Sequence, residues 1–246
     1  MNKIVLFCFA VFALLCCNTF ALHAGEPAKQ IQADSLENTS VDIPRYFKPP
    51  VSKEKAPDPN GFIQRWLLLE PIRQSGLRSN SQLVDSYVQR AIKTEYFPNQ
   101  FTIVPHDGDK VIVNGEELKW YAIDSLRYEV NLFSFASALK KPTYNVVFWA
   151  VTVIDCPEEL KDIRLSVGSN SASIWWVNGK EVIDIYGDRH MLLDDGVSKR
   201  LTLKKGSNVI RCAVINAPGL SAFCARFLDK EAKPILKGYT INLNKM

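Results

Sequence analysis

The chain has 246 residues, of which 47% are hydrophobic and 23% are charged, and this length is enough to bury one large core. Its 30 Lys and Arg residues are scattered among 26 Asp and Glu residues. This balance is typical of a solvated surface and disfavours a nucleic-acid-binding stripe. After the N-terminal region, no apolar run is long enough to predict a membrane-spanning helix.

The N-terminus has the pattern of a secretory signal peptide. One positive charge precedes an apolar run over residues 4–17, and small residues follow that run. We predict a signal peptide over residues 1–21, cleaved after Ala21, with cleavage after Ala24 as the second option. A lipid anchor on Cys17 is a rival prediction. In either case the protein is expected to be exported, to the periplasm or to the extracellular space.

Residues 22–59 differ in composition from the rest of the chain, because they are polar and rich in proline. Such a segment buries too little apolar surface to offset the entropy of ordering it. We predict an extended linker that touches the following domain through Ile43, Tyr46 and Phe47. Whether it is a spacer from an anchor or partner, or a plain disordered leader, is left open by the sequence.

Residues 60–246 are predicted to form one β-sandwich domain, because short alternating or apolar runs are separated by turn residues. Val84, Val88 and Ile92 recur at helical spacing and predict one short helix over residues 82–95. The remaining runs predict strands over residues 62–69, 111–113, 117–121, 128–133, 144–154, 163–167, 174–177, 180–183, 201–203, 208–215, 222–228 and 239–243.

Two Asn-Gly pairs predict tight β-hairpins. Asn114-Gly115 and Asn178-Gly179 each lie between apolar runs. A type I′ turn needs a positive φ at both central residues, which Asn and Gly tolerate best. The stretch over residues 163–183 is therefore predicted to contain three short strands joined by two turns.

The same stretch carries a resemblance to a known family. Ile174-Trp-Trp-Val-Asn-Gly-Lys180 resembles the core of galactose-binding-like jelly-roll modules, and the chain is most similar to the N-terminal module of acetylxylan esterases from gut Bacteroidetes. Segments 61–71, 201–210 and 223–229 resemble further motifs of that module in the same order. Glu70 departs from the pattern, which usually has Gly there. The resemblance covers about residues 60–243 and implies an all-β, antiparallel jelly-roll sandwich with one short helix.

Three cysteines lie outside the predicted signal peptide: Cys156, Cys212 and Cys224. An odd number in an exported chain leaves at least one free thiol. Cys212 and Cys224 are equidistant in sequence from Pro218, so a cross-strand disulfide between them is one possibility. The other is that all three are buried as small apolar residues.

The sequence favours a protein without an active site of its own. It has no Gly-x-Ser-x-Gly nucleophile elbow and no zinc-binding spacing. His190 follows Asp188 and precedes Asp194-Asp195, which makes a His–carboxylate pair conceivable, but no nucleophile accompanies it. Asp184 and the other loop carboxylates could serve as glycosidase acids, although such side chains are usually solvated.

Ligand binding is the preferred prediction. Trp175 and Trp176 point to opposite faces of one strand, and the family pattern places Trp176 in the core. This leaves Trp175 as the predicted exposed or rim residue, with a second core layer as the alternative. Tyr186, Arg189 and His190 follow the next strand, so these four residues are the candidate sugar-binding set: an aromatic face with hydrogen-bonding groups around it.

No cofactor is predicted, apart from a structural calcium ion for which the signal is weak. The candidate ligands are Asp107 and Asp109 in one loop, and Asp194 and Asp195 in another. Two acids alone rarely bind calcium, which takes about six to eight oxygen ligands.

We therefore predict an exported, non-catalytic carbohydrate-binding or accessory module linked to the breakdown of acetylated xylan and other plant polysaccharides. Its predicted partners are a xylan-type glycan and an esterase or glycoside hydrolase, because the resemblance implies that a catalytic domain, missing here, would normally follow such a module. Two alternatives remain: an acetylxylan-esterase-like hydrolase with an unrecognised site, and a structural sandwich that binds protein.

Overall fold

The computed structural model describes residues 46–243, and every structural statement below concerns those residues. They form mainly β-strands, with two α-helices and one 3-10 helix, Asn80–Gln82. The helices are α1 (Asp85–Lys93) and α2 (Leu132–Ala138). The strands are β1 (Phe47–Lys48), β2 (Glu54–Lys55), β3 (Arg65–Leu69), β4 (Ile72–Arg73), β5 (Lys110–Val113), β6 (Glu116–Ser125), β7 (Val146–Cys156), β8 (Leu160–Ser169), β9 (Ala172–Val177), β10 (Lys180–Ile185), β11 (Gly196–Val197), β12 (Leu201–Leu203), β13 (Gly206–Asn216), β14 (Phe223–Leu228) and β15 (Thr240–Asn242).

The strands form two antiparallel sheets. The larger sheet has the order β1-β6-β3-β7-β13-β9-β10, and β2, β4, β5 and β15 join its strands. In the smaller sheet, β8 pairs with β14, β11 and β12. The long apolar strand β7 lies centrally in the larger sheet, as its nearly continuous hydrophobic sequence predicts. The predicted all-β, antiparallel sandwich is confirmed, with two helices instead of one.

The central strands of the larger sheet, such as β3 and β9, are buried on both faces. Between the sheets, the rings of Trp66 and Trp175 pack edge-on against Phe223, with centroids 5.0 and 5.5 Å from it. On the opposite face, α1 and the segment over residues 94–104 cover a second core in which Trp149 and Trp176 stack with centroids 5.7 Å apart. A strand that is covered on both sides has no polar face, which explains why β9 is buried at every residue.

Both predicted hairpin turns are confirmed. Asn114 and Gly115 have φ values of 51° and 82°, and Asn178 and Gly179 have values of 50° and 78°. The flanking residues pair directly across each turn, Val113 with Glu116 and Val177 with Lys180. Positive φ at both central positions is the requirement that Asn-Gly meets in a two-residue hairpin.

The strand predicted over residues 128–133 is wrong. Only Val130 makes an isolated bridge, to Phe223, and the chain then enters α2. The side chain of Asn131 caps this helix by accepting a hydrogen bond of 2.8 Å from the backbone N–H of Ser134. Phe135 is fully buried and anchors the helix in the core between the sheets.

Glu70, the departure from the family pattern, lies between β3 and β4, which both pair with β7. Its carboxylate is buried and pairs with Lys141 Nζ at 2.9 Å. The Tyr121 hydroxyl donates to the same carboxylate, and burial together with this negative charge raises the pKa of Tyr121 to about 12.

Part of the predicted linker belongs to the larger sheet. β1 pairs with β6 and β2 pairs with β15, and Phe47 is buried, as the predicted contact of that residue requires. The buried Arg65 guanidinium donates to both carboxylate oxygens of Asp124 at 2.8 and 3.0 Å and to the carbonyl of Ser52 at 2.8 Å. The predicted signal peptide, the lipid anchor on Cys17 and the contact of Ile43 lie outside the described residues.

The three cysteines are free and buried. Cys212 lies in β13 and pairs with Ala150 and Trp175, whereas Cys224 lies in β14 and pairs with Gly168. The two strands belong to different sheets, and because both thiols are free, the possible cross-strand disulfide between Cys212 and Cys224 is not formed. Burial raises the pKa of the Cys224 thiol to about 12, which makes it a poor nucleophile. No helix within residues 46–243 is long and apolar enough to cross a membrane.

Candidate functional site

Four loops converge at one end of the sandwich and enclose a groove of about 300 Å³, which we call the end groove. They are the connection that contains the 3-10 helix, the β8–β9 turn, the loop after β10 and the β13–β14 turn. The lining residues are Asn80, Asn170, Ser171, Asp188, Arg189, His190, Pro218, Gly219 and Leu220. The groove therefore combines polar side chains with a small apolar wall, and its volume is at the lower limit for small-ligand sites.

The β8–β9 turn is held to the β13–β14 turn by hydrogen bonds. The backbone N–H of Asn170 donates to the carbonyl of Ala222 at 2.9 Å. The buried Ser171 hydroxyl donates to the side-chain oxygen of Asn216 at 3.2 Å, and the Asn216 amide donates to the carbonyl of Thr143 at 2.8 Å. These contacts fix two walls of the groove before any ligand binds.

The loop after β10 is held by two ion pairs. Arg189 pairs with Asp195 within the loop. Asp194 accepts hydrogen bonds from Arg226 Nε at 2.9 Å and from the Ser166 hydroxyl at 2.6 Å, both on the smaller sheet. The hydrogen bond from Arg226 is the main reason that the pKa of Asp194 is lowered from its ordinary value.

The structure brings only two of the four predicted sugar-binding residues to the groove, Arg189 and His190. Arg189 is partly buried and His190 is exposed. Tyr186 is not among the lining residues. Its hydroxyl donates to Asp184 at 2.8 Å and accepts from Gln89, so it joins β10 to helix α1.

The expectation that Trp175 is an exposed or rim residue is wrong. Its relative exposure is 0%, and its ring lies in the core between the sheets. The indole N–H donates to the Ser173 hydroxyl at 2.9 Å, which satisfies its one polar group. Trp176 is buried, as predicted, and lies in the core beneath α1. Trp175 therefore cannot stack on a sugar in this conformation.

Two lining residues carry buried polar atoms that have no hydrogen-bond partner within the described chain: Arg189 Nε and Asn80 Oδ1. One is a donor and the other an acceptor. An unsatisfied buried polar atom costs roughly 1–3 kcal/mol. Sequence reasoning missed Asn80 and Asn170, because only the fold brings these distant loops together.

The four candidate calcium ligands are engaged with protein donors. Asp107 accepts from the backbone N–H of Ala122 at 2.8 Å, and Asp109 accepts from that of His106 at 2.7 Å. Asp194 and Asp195 are the partners of Arg226 and Arg189. Within residues 46–243 no group of three or more His, Cys, Asp or Glu side chains could hold a metal ion.

The end groove contains polar groups but no visible nucleophile–base pair. In the described part of the chain, no hydrogen bond joins His190 to a serine or a cysteine. The Ser169 hydroxyl is buried and bonds to Ser173 Oγ and to the carbonyl of Ser171 at 2.9 and 3.0 Å. The arrangement can therefore hold a ligand through hydrogen bonds, whereas covalent catalysis would need a partner for His190.

No protein-family profile and no curated protein matches the chain. The PA14 sugar-binding domain of an RTX adhesin is 12% identical, with 72% of this chain and 96% of that one covered and a TM-score of 0.34. An epithelial adhesin A domain from Candida glabrata, solved with β-lactose, is 11% identical, with 80% and 95% covered and a TM-score of 0.38. A β-glucosidase from Kluyveromyces marxianus, solved with glucose, is 18% identical over 67% of this chain, with a TM-score of 0.33, and this chain spans 16% of its length. At such low TM-scores the similarities carry no conclusion about function.

Proposed function

We propose that this protein is a non-catalytic carbohydrate-binding module whose ligand occupies the end groove. The observation that carries the proposal is the convergence of polar side chains from four separate loops beside an apolar wall. A sugar has the same two features, a rim of hydroxyls and an apolar ring face, and small-ligand sites match both kinds of surface.

The polar side of the groove suits hydroxyl groups. Arg189 and Asn80 line the groove with side chains that carry hydrogen-bonding groups, and a hydroxyl can both accept and donate. His190 and Asp188 are exposed at the same opening. Leu220, which is 67% exposed, supplies the apolar wall in place of the aromatic platform that the sequence predicted at Trp175.

The proposal extends to the ligand, the location and the partner of the protein. The resemblance to acetylxylan-esterase modules leads us to propose a xylan-type plant polysaccharide, acetylated or not. The signal-peptide pattern at residues 1–21 leads us to propose an exported protein, periplasmic or extracellular. An esterase or a glycoside hydrolase acting on the same polysaccharide is then the partner to test first.

Isothermal titration calorimetry with xylan and xylo-oligosaccharides tests the proposal. We expect micromolar to millimolar affinity, about −8 to −4 kcal/mol. His190→Ala should weaken binding about three- to tenfold, the value of one hydrogen bond. His106→Ala is the matched control, because His106 is also exposed but lies outside the groove. Equal affinities for wild type and His190→Ala would contradict this placement of the site.

Two further results would favour the alternative functions. Hydrolysis of acetylated xylan or p-nitrophenyl acetate that disappears in His190→Ala would establish an enzyme instead. Absence of both hydrolysis and binding across a broad glycan panel would favour a sandwich that binds protein. We expect neither result, because the groove offers hydrogen-bonding groups without a paired nucleophile.

A further inference from the structure

A second groove, which we call the side groove, lies at the open edge of the sandwich. It has a volume of about 550 Å³ and separates β10, the edge strand of the larger sheet, from β12 in the smaller sheet. The lining residues are Val177, Asn178, Lys180, Glu181, Val182, Lys199, Arg200, Leu201 and Thr202. None of them lines the end groove.

The side groove is positively charged. Lys180, Lys199 and Arg200 are exposed along it, and Glu181 is the one acid in its lining. The Glu181 carboxylate is paired with Lys93 Nζ at 2.9 Å, so a lysine outside the groove already offsets its charge. Among residues 46–243, no ion pair joins Lys180 or Lys199 to a carboxylate. The cations of the groove therefore have no carboxylate partner among the described residues.

The third cation is oriented by backbone carbonyls. Arg200 donates from Nη1 to the carbonyl of Asp162 at 3.0 Å and from Nη2 to that of Lys230 at 3.5 Å. Neutral carbonyls position the guanidinium but leave its full charge available to a ligand. The half-buried side chains of Val182 and Leu201 provide an apolar surface between the charges.

We infer that the side groove binds a carboxylate-bearing polysaccharide, a polyuronate. Three unneutralised cations in one opening select an anion, and the apolar surface between them suits the ring face of a sugar. The lining contains no aromatic side chain on which nucleic-acid bases could stack. A register shift between Glu181 and Ile183 disrupts the β10 edge, which disfavours the addition of an acidic peptide as an extra strand.

This inference does not depend on the proposed function. The end groove lies beside Ser171, before β9 begins, and the side groove lies beside Val177, where β9 ends. Six residue steps along an antiparallel strand span about 20 Å, which is beyond the Debye length of about 8 Å at physiological salt. Substitutions in one groove should therefore leave binding at the other unchanged.

The test measures binding of polygalacturonate to wild type and to the double variant Lys180→Gln/Lys199→Gln. The control is Lys48→Gln/Lys237→Gln, which removes the same net charge from exposed lysines outside both grooves. We expect wild type to bind at low salt and to lose affinity as salt rises. The groove variant should bind at least about threefold more weakly, whereas the control should stay within about twofold of wild type.

Three results would overturn the inference. The first is no binding of polygalacturonate by wild type at low salt. The second is equal binding by wild type and the groove variant, or equal losses in the groove variant and the control. The third is tighter binding of poly-glutamate than of polygalacturonate, which would assign the groove to an acidic protein. His190→Ala should bind polygalacturonate as wild type does, because His190 lies outside the side groove. Failure of the xylan-binding proposal would therefore leave this result unchanged.

Discussion

Replacing Trp175 by alanine tests the central packing of the sandwich. The ring is fully buried, with Trp66 at 6.2 Å and Phe223 at 5.5 Å between centroids, and its N–H is satisfied by Ser173. Truncating a buried tryptophan to alanine removes its packing and leaves a cavity, which costs about 3–5 kcal/mol. That is a large part of the roughly 5–15 kcal/mol by which an ordinary domain is stable.

Thermal and urea denaturation measure this effect. For a domain of this size each 1 kcal/mol shifts Tm by about 2–4 °C, so Trp175→Ala should lower Tm by roughly 6–20 °C. Tyr144→Ala is the control, because Tyr144 is 47% exposed and its truncation should change stability little. An unchanged Tm for Trp175→Ala would refute the packing argument and restore Trp175 as a surface residue.

Three other predictions follow from the packing and the charges. Trp176→Ala should also destabilise the fold by about 3 kcal/mol or more, because it removes the stacking partner of Trp149. Urea denaturation measures the change, and an unchanged free energy of unfolding would mean that the ring is exposed. A reducing agent should leave Tm unchanged, because all three described cysteines are free, and a fall in Tm would indicate a disulfide. Asp194→Asn should lower Tm at neutral pH. Since the folded-state pKa of Asp194 is lowered from 3.8, its stabilisation is present above that pH and lost as the pH falls through the folded pKa. The Tm gap between variant and wild type should close under acid, and a constant gap would contradict this.

Local sequence signals predicted the strands and turns well. Asn114-Gly115 and Asn178-Gly179 mark their hairpins because their backbone requirement is met by the two residues themselves. The sequence does not predict helix α2, because its first apolar residues, Leu132 and Phe133, extend the apolar run of residues 128–133, and only its capping residue, Asn131, marks the start of a helix. A short apolar run does not distinguish the two periodicities.

The candidate site was harder to predict, because it depends on which loops meet. Alternation correctly places Trp175 and Trp176 on opposite faces of β9, but it cannot show that both faces are covered. Arg189 and His190 are candidates because they lie on the loop after one hairpin, and both line the end groove. Asn80 comes to the same groove from far away in sequence, and the hydrogen bond from Gly187 N–H to the carbonyl of Leu83 is a long-range contact without a local signal.

The most direct test of the carbohydrate-binding proposal is an NMR titration of the isotope-labelled protein with xylo-oligosaccharide, read at the backbone amides. Binding in the end groove predicts chemical-shift changes concentrated at residues 170–171, 188–190 and 219–220, with little change at residues 178–182. Shifts confined to residues 178–182 and 199–202, or no shifts at saturating sugar, would contradict the proposal.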